Sequence, residues 1–230
     1  MDSFAHYQRH DLVWLSDTAW QGLVLPTDLQ ARLGLWQQEE WPAVVTRRQP
    51  DAADDEVCIG FPLPPLDGNK PRFAARIKLD DIAIHQPSLS LHSVIMTAPA
   101  VWQADLQKLH HEALLAGIKL RVYGSLSMQF LTGQAYLNAA SDIDILFRPY
   151  HQAQLRVGLA LLQQYSQLLP LDGEIIFPDE MAVAWKEWAQ CPSEATDYLQ
   201  QRVMVKSLQG VSLRTRQELL QQLPEGELPC

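Results

Sequence analysis

Over the first third of the chain, apolar and polar residues alternate in short runs separated by prolines and tight turns, and this period-two pattern predicts strands. The runs are Asp11 to Leu15, Ala43 to Arg47, Val57 to Phe61 and Phe73 to Leu79, with Pro62, Pro64, Pro65 and an Asp67-Gly68-Asn69 turn between the last two. One helix is expected among them, Asp28 to Gln37. Thr27 stands where a side-chain cap is needed, and Leu29, Leu33 and Trp36 share one face. Near Leu91 the period becomes helical: Val101, Leu106, Leu109, Leu114 and Leu115 recur until Gly117 ends the run.

From there strands and helices alternate. A strand, Lys119 to Tyr123, runs into Gly124-Ser125, a short helix Leu126 to Leu131, a loop through Gly133, and a second strand Ile143 to Phe147. The longest helix is expected after Pro149 to about Leu168, with Leu155, Leu159, Leu162 and Tyr165 as its apolar stripe. A third strand, Gly173 to Phe177, precedes a helix Glu180 to Ala189. No fixed-period repeat or low-complexity tract is present. The order predicts an α/β fold of the α+β kind: a smaller β-rich N-terminal lobe over residues 1–97, and a mixed sheet flanked by helices over residues 98–230.

The 230 residues are 47% hydrophobic and 20% charged, enough to build a core without disulfides or structural metal. With 18 Lys and Arg against 27 Asp and Glu, the net charge is −9, which repels a nucleic-acid polymer but leaves room for a small phosphorylated ligand neutralised locally. The three cysteines, Cys58, Cys191 and Cys230, are far apart and match no zinc spacing, as expected of reduced thiols. The first residues have no apolar signal region, and no run reaches the ~20 apolar residues of a membrane span. A cytoplasmic protein without a membrane partner is expected.

The segment from Tyr123 to Leu146 carries the chemistry. Side chains alternate along a strand, so Asp142 and Asp144 share one face while Ile143 and Ile145 point into the core. Two carboxylates roughly 7 Å apart on a mostly dry surface repel, and a divalent cation between them removes the penalty. Oxygen donors without His or Cys select Mg²⁺ or Mn²⁺ over Zn²⁺. Upstream, Gly124 lets backbone approach a ligand, and Ser125 opens a helix whose N–H groups favour anionic oxygen. A phosphate cradle beside a carboxylate pair is the logic of phosphoryl or nucleotidyl transfer. A third acid would come from Asp172 or Glu174, of which Glu174 lies deeper in its strand. Lys206, in an apolar stretch, must snorkel, pair or meet a phosphate. Lys70 and Arg72 read as solvated loop residues, and Trp14, Trp185 and Trp188 as core rather than as stacking platforms for a base.

Gly124-Ser125 followed by Asp142-Ile143-Asp144 resembles the signature of the nucleotidyltransferase superfamily, with its DNA polymerase beta-like fold. The gap is longer than is common there, with 16 residues, 126–141, between Ser125 and Asp142. Together with Arg9-His10-Asp11-Leu12-Val13-Trp14-Leu15, Leu171 to Phe177, Ala182 to Trp188 and Val205 to Leu208, the chain resembles the malonate decarboxylase holo-acyl-carrier-protein synthase family, also called phosphoribosyl-dephospho-CoA transferases. The resemblance covers nearly the whole chain, and the longer gap belongs to that family. It implies 2'-(5-triphosphoribosyl)-3'-dephospho-CoA as donor, a serine of the apo acyl-carrier subunit of malonate decarboxylase as acceptor, and pyrophosphate as leaving group. On the reading of the residues, Asp142, Asp144 and Glu174 are the catalytic candidates, with metal on Asp142 and Asp144 and with Glu174 also able to take the serine proton. Gly124, Ser125 and Lys206 are the phosphate-binding candidates, joined by Arg9 through its match to the family's N-terminal signature. Other readings stay open: a related transferase acting on a small molecule or protein, or a non-catalytic phosphate-binding scaffold.

Overall fold

A computed structural model describes residues 7–66, 69–190 and 197–226. The chain forms two compact units, one running to Ser88 and including 131–136 and 208–210, the other taking Leu89–Phe130, Leu137–Ser207 and the chain from Val211.

The first unit is a five-stranded antiparallel sheet. Its strands are β1 (Leu12–Leu15), β2 (Ala43–Val45), β3 (Glu56–Pro62), β4 (Arg72–Lys78) and β5 (Ile82–Gln86), in the order β4-β3-β2-β1-β5. The alternation seen in the sequence holds: Val57, Ile59 and Phe61 are buried, as are Leu12, Val13, Ala43 and Val45. Helices α1 (Asp17–Gly22) and α2 (Gln30–Gln38) belong to this unit. Leu33 and Trp36 of α2 are fully buried, and Trp36 meets Phe61 edge-on at 5.9 Å between ring centres. Thr27 does not cap α2, which starts three residues later with Leu29 at the cap position and no side-chain cap bond. Leu29 N–H instead bonds to Pro26 O, a turn that delays the helix. Of the expected glycine turn, Asp67 and Gly68 lie outside the described residues, as do Cys191 and Cys230. Cys58 is a buried free thiol.

The second unit is built on seven strands, ordered β12-β11-β10-β9-β8-β7-β6. They are β6 (Leu89–Ser90), β7 (Leu120–Tyr123), β8 (Ile143–Phe147), β9 (Leu171–Phe177), β10 (Met181–Ala184), β11 (Arg202–Lys206) and β12 (Val211–Thr215). Every neighbouring pair is antiparallel except β8 and β9, which run parallel. A parallel pair needs a crossover, and α6 (Gln152–Tyr165) supplies it. The other helices are α3 (Leu91–Val94), α4 (Ala100–Leu115), α5 (Gly124–Thr132), α7 (Trp185–Ala189) and α8 (Arg216–Leu220).

One face of this sheet is apolar and covered. Ile143, Ile145 and Phe147 of β8, Leu171, Ile175 and Phe177 of β9, Val122 of β7, Val183 of β10, and Val203 and Val205 of β11 join Leu106, Leu109, Leu155, Leu162, Tyr165 and Leu219 from the helices in one core. The opposite face carries a small buried cluster, Leu146, Ile176 and Ala182 with Tyr123 beside it; its β7–β9 part is polar, with Arg121, Asp144, Asp172 and Glu174, while Met204, Val211 and Leu213 lie exposed on it at the β11–β12 end. Gly173 makes the parallel pairing possible. It sits opposite Ile145 with φ of 126°, and a Cβ there would lie 1.9 Å from the Ile145 carbonyl oxygen.

Three expectations for this unit need correction. The longest helix is α4, 16 residues, rather than α6, 14 residues. Ser166 closes α6, and Leu168 N–H turns back to Tyr165 O. In α4, Leu106 and Leu109 are buried as expected, but Val101, Leu114 and Leu115 are exposed, so its buried stripe is narrower than the run of apolar residues. Residues 181–184 are a strand and not the start of a helix. Asp179 and Glu180 both adopt φ of 57°, turning the chain back so that Met181–Ala184 pairs with Glu174–Phe177. Arg148 holds that turn through two bonds to the Glu180 carboxylate, 2.6 and 2.7 Å. The run Met-Ala-Val-Ala suits strand or helix equally by pattern, and pairing in the sheet decides.

Candidate active site

The β7–α5 junction and the middle of β8 meet on the polar face of the second sheet. Tyr123 is the Cα partner of Asp144, so the next residue, Gly124, falls directly against the aspartate. Gly124 has φ of 70°, and a Cβ built on it would lie 2.0 Å from Asp144 Oδ2 and 2.9 Å from Cγ. Only glycine fits both the backbone angle and the approach of the carboxylate. The helix begins at Gly124 itself, earlier than the expected Leu126, and brings Ser125 into its first turn. Ser125 is half-buried, and Leu126 and Met128 anchor the helix in the interior.

Asp142 and Asp144 flank Ile143, which is completely buried on the opposite face, so the two carboxylates share the polar side. Asp142 precedes the strand and is exposed, and Asp144 is half-buried. The surface between them is therefore wet at one end rather than dry. The preceding loop is fixed by Ser141, whose Oγ accepts the Asn138 N–H at 2.9 Å, and by Ile143 N–H donating to Pro170 O at 2.8 Å. Among the described residues, no group of three or more His, Cys, Asp or Glu side chains is gathered closely enough to hold a metal by itself.

The two candidates for a third acid separate clearly. Asp172 is the in-register neighbour of Asp144 across the parallel pair, and its carboxylate lies 3.8 Å from Lys186 Nζ of α7, with both side chains about half exposed. Glu174, one strand over and two residues along, is only 4% exposed, and its Oε1 accepts from Lys206 Nζ at 3.1 Å. Lys206 thus meets a carboxylate, the second of the three fates open to it in the sequence.

Arg9 lies in the first unit, where its Nη2 contacts His10 Nε2 at 3.1 Å. His10 has φ of 74° and Asp11 is buried, its carboxylate meeting His85 Nε2 at 2.7 Å and accepting the Gln8 N–H at 2.9 Å. Nothing in the sequence links residues 11 and 85, which β1–β5 pairing brings together. Lys70 is exposed, and so is Arg72 at the start of β4. Trp185 and Trp188 belong to the core, Trp188 between Phe177 and the Arg216 guanidinium. Trp14 donates Nε1–H to Glu40 O at 2.8 Å. Sequence reading did not single out Lys186, nor Arg121, whose place beside Leu146 puts it on the polar face. The alternation Arg121-Val122-Tyr123 is the signal that could have found the latter.

The site thus brings a glycine at a helix start against a carboxylate on one sheet face, and comparison with known proteins shows the class of protein that carries it. The C-terminal domain model of the phosphoribosyl-dephospho-CoA transferase MdcG matches residues 89–217, and its N-terminal domain model matches residues 8–87. A curated phosphoribosyl-dephospho-CoA transferase of Xanthomonas campestris pv. campestris (strain 8004) is 39% identical over 213 residues, covering 92% of this chain and 95% of the relative. One from Xanthomonas euvesicatoria pv. vesicatoria (strain 85-10) is 37% identical over 214 residues, with coverage of 92% and 95%. One from Bradyrhizobium diazoefficiens (strain JCM 10833 / BCRC 13528 / IAM 13628 / NBRC 14792 / USDA 110) is 33% identical over 217 residues, covering 92% of each chain. No solved structure matches significantly. The chain belongs to the phosphoribosyl-dephospho-CoA transferase family and is a transferase.

Proposed function

We propose that the chain transfers the phosphoribosyl-dephospho-CoA group from 2'-(5-triphosphoribosyl)-3'-dephospho-CoA to a serine of the apo acyl-carrier subunit of malonate decarboxylase, releasing pyrophosphate. The family match over both units gives the group transferred. The observation that carries the site is the contact of Gly124 with Asp144, which joins a helix start to a carboxylate on one face of the sheet. In this reading the serine Oγ bonds to the α-phosphorus, the bond from that phosphorus to the β-phosphate bridge oxygen breaks, and the serine proton passes to solvent or a nearby base. Backbone N–H groups of Gly124 and Ser125 and the Ser125 hydroxyl face the anionic oxygens of the donor.

The donor set around Asp144 suits a hard cation: it is all oxygen. Asp142 and Asp144 would hold Mg²⁺ or Mn²⁺, which supplies positive charge against the triphosphate. Two carboxylates suffice, because Mg²⁺ commonly completes its shell with substrate phosphate and water instead of a full protein cage. Asp172, in register with Asp144, is better placed than Glu174 to add a third carboxylate. No helix among the described residues is long and apolar enough to cross a membrane. A cytoplasmic setting, where a carrier subunit would be met, is part of the proposal. The test is to offer the purified chain the triphosphoribosyl donor or ATP, each with the apo carrier. Transfer from the first and not the second supports the reading, and modification only with ATP replaces it with protein adenylylation.

A further inference from the structure

The Glu174–Lys206 pair is unusual in how its two charges are exposed. The carboxylate is 4% exposed and the lysine side chain 39%, so the pair presents an ammonium to the surface and hides the acid beneath it. Lys206 belongs to β11 and Glu174 to β9, with β10 between them. The lysine stem can cross because the residues of β10 on that face are small: Ala182 is the partner of Lys206, and Ala184 is the partner of Glu174. Beside Glu174 on β8 stands Leu146, which with Ile176 and Ala182 forms the small apolar cluster of this face. Burying a carboxylate is costly even when it is paired, and a hydrophobic residue of similar volume commonly serves stability as well or better. Its presence calls for a role that needs the charge.

We propose that Glu174 is a positioning residue whose carboxylate fixes the Lys206 ammonium as an anion-binding group on the polar face of the sheet, where the di- or triphosphate chain of the substrate lies. The inference rests on the reading that this face takes a phosphorylated donor. Geometry supports it: Glu174 is one strand across and two residues along from Asp144, roughly 8 Å between Cα atoms, a gap that a chain of phosphates bridges. A lysine on a flexible stem binds a phosphate as a point charge and loses rotamer freedom in doing so. Holding it beforehand removes part of that cost. The same geometry argues against Glu174 as the group that receives the serine proton, because its carboxylate is covered and already engaged by the ammonium.

The experiment compares the full chain with Glu174→Gln, Lys206→Met and the double variant, measuring affinity for inorganic pyrophosphate by titration calorimetry and melting temperature in parallel. Lys206→Met is expected to weaken pyrophosphate binding about tenfold or more, and Glu174→Gln by a smaller factor of about three to ten. The double variant is expected to match Lys206→Met, because a residue that acts only through the lysine has nothing left to lose. In transfer assays Glu174→Gln should raise KM for the donor while kcat changes little. Lys206→Met takes the ammonium away from a covered carboxylate and should melt lower. The double variant should recover most of that loss, and it carries the comparison if Lys206→Met does not fold. Unchanged pyrophosphate affinity in Lys206→Met overturns the proposal. So does an equal loss from Glu174→Gln in both backgrounds, or a fall in kcat at constant KM. Pyrophosphate binding that follows the expected pattern, with no transfer to any carrier serine, counts against the proposed reaction and leaves the Glu174–Lys206 assignment standing.

Discussion

Replacing Gly124 by alanine tests the contact on which the site depends. The added Cβ would lie 2.0 Å from Asp144 Oδ2 and 2.9 Å from Cγ, so the carboxylate must rotate away or the β7–α5 turn must open. Backbone strain adds to this, since φ is 70° and an L-residue pays roughly 1–2 kcal/mol in the left-handed region. The stiffer unfolded chain of an alanine returns about 0.4–1 kcal/mol. The backbone terms alone net to a modest loss, on the order of 1 kcal/mol, or a few degrees in Tm for a chain of this size, and displacing the Asp144 carboxylate comes on top of it. Gly133 is the matched control: its φ is 66°, and a Cβ there meets nothing within 4 Å. Gly133→Ala should lose the backbone amount alone and keep its activity. Gly124→Ala should lose about a hundredfold or more in turnover, because a shift of ~1 Å in a reacting group costs about that much. Thermal melting followed by circular dichroism and a pyrophosphate-release assay read the two quantities separately. Equal activity in the two alanine variants would refute the assignment of Gly124 and Asp144 to one site.

Gly173→Ala should be far worse for folding than either, since its Cβ would strike the backbone of Ile145, at 1.9 Å from O and 2.5 Å from N; a soluble variant melting within a degree or two of wild type contradicts the β8–β9 register. Tyr165 donates its hydroxyl to Glu112 at 2.8 Å, and burial, then that bond and the nearby acids, push its pKa up to about 12 from 10.0. Because the folded value is the higher one, the associated stability is complete below pH 10.0 and is lost as pH rises toward about 12. Tyr165→Phe should flatten that part of the alkaline melting curve, and an unchanged slope would show that other groups set it. Chelation with EDTA should stop transfer and Mg²⁺ or Mn²⁺ should restore it, whereas full turnover in metal-free buffer would remove the cation from the account.

Much of this site was legible because it is local in sequence. Alternation placed Asp142 and Asp144 on one side of a strand, and a glycine before a helical run marked a close approach of backbone to something. What it approached, the Asp144 carboxylate, depended on the register of β7 against β8 and could not be read from spacing. The same is true of Asp172 and Glu174, which share a strand face but differ in what lies opposite: Asp144 for one, Leu146 for the other. Residues far apart in the chain, Glu174 with Lys206 and Asp11 with His85, are joined only by sheet order. The C-terminal strands illustrate the reverse case. Arg202-Val203-Met204-Val205-Lys206 alternates cleanly, with Val203 and Val205 buried, and the Ser207-to-Gly210 loop frames it as a hairpin with β12, a strand signal that reading Lys206 within an apolar stretch passes over. Residues 181–184 fail for a different reason, since an apolar run of four carries no period, and pairing with β9 settles its form.

The most direct test of the central claim is the intact mass of the apo carrier subunit after incubation with this chain, the triphosphoribosyl donor and Mg²⁺. Wild type should add the mass of one phosphoribosyl-dephospho-CoA group at a single serine, with one pyrophosphate released per carrier, and Asp144→Asn, which keeps the side-chain volume but removes one charge, should add none under the same conditions. An unmodified carrier with active-looking, folded wild type, or equal modification by Asp144→Asn at the wild-type rate, would contradict the account.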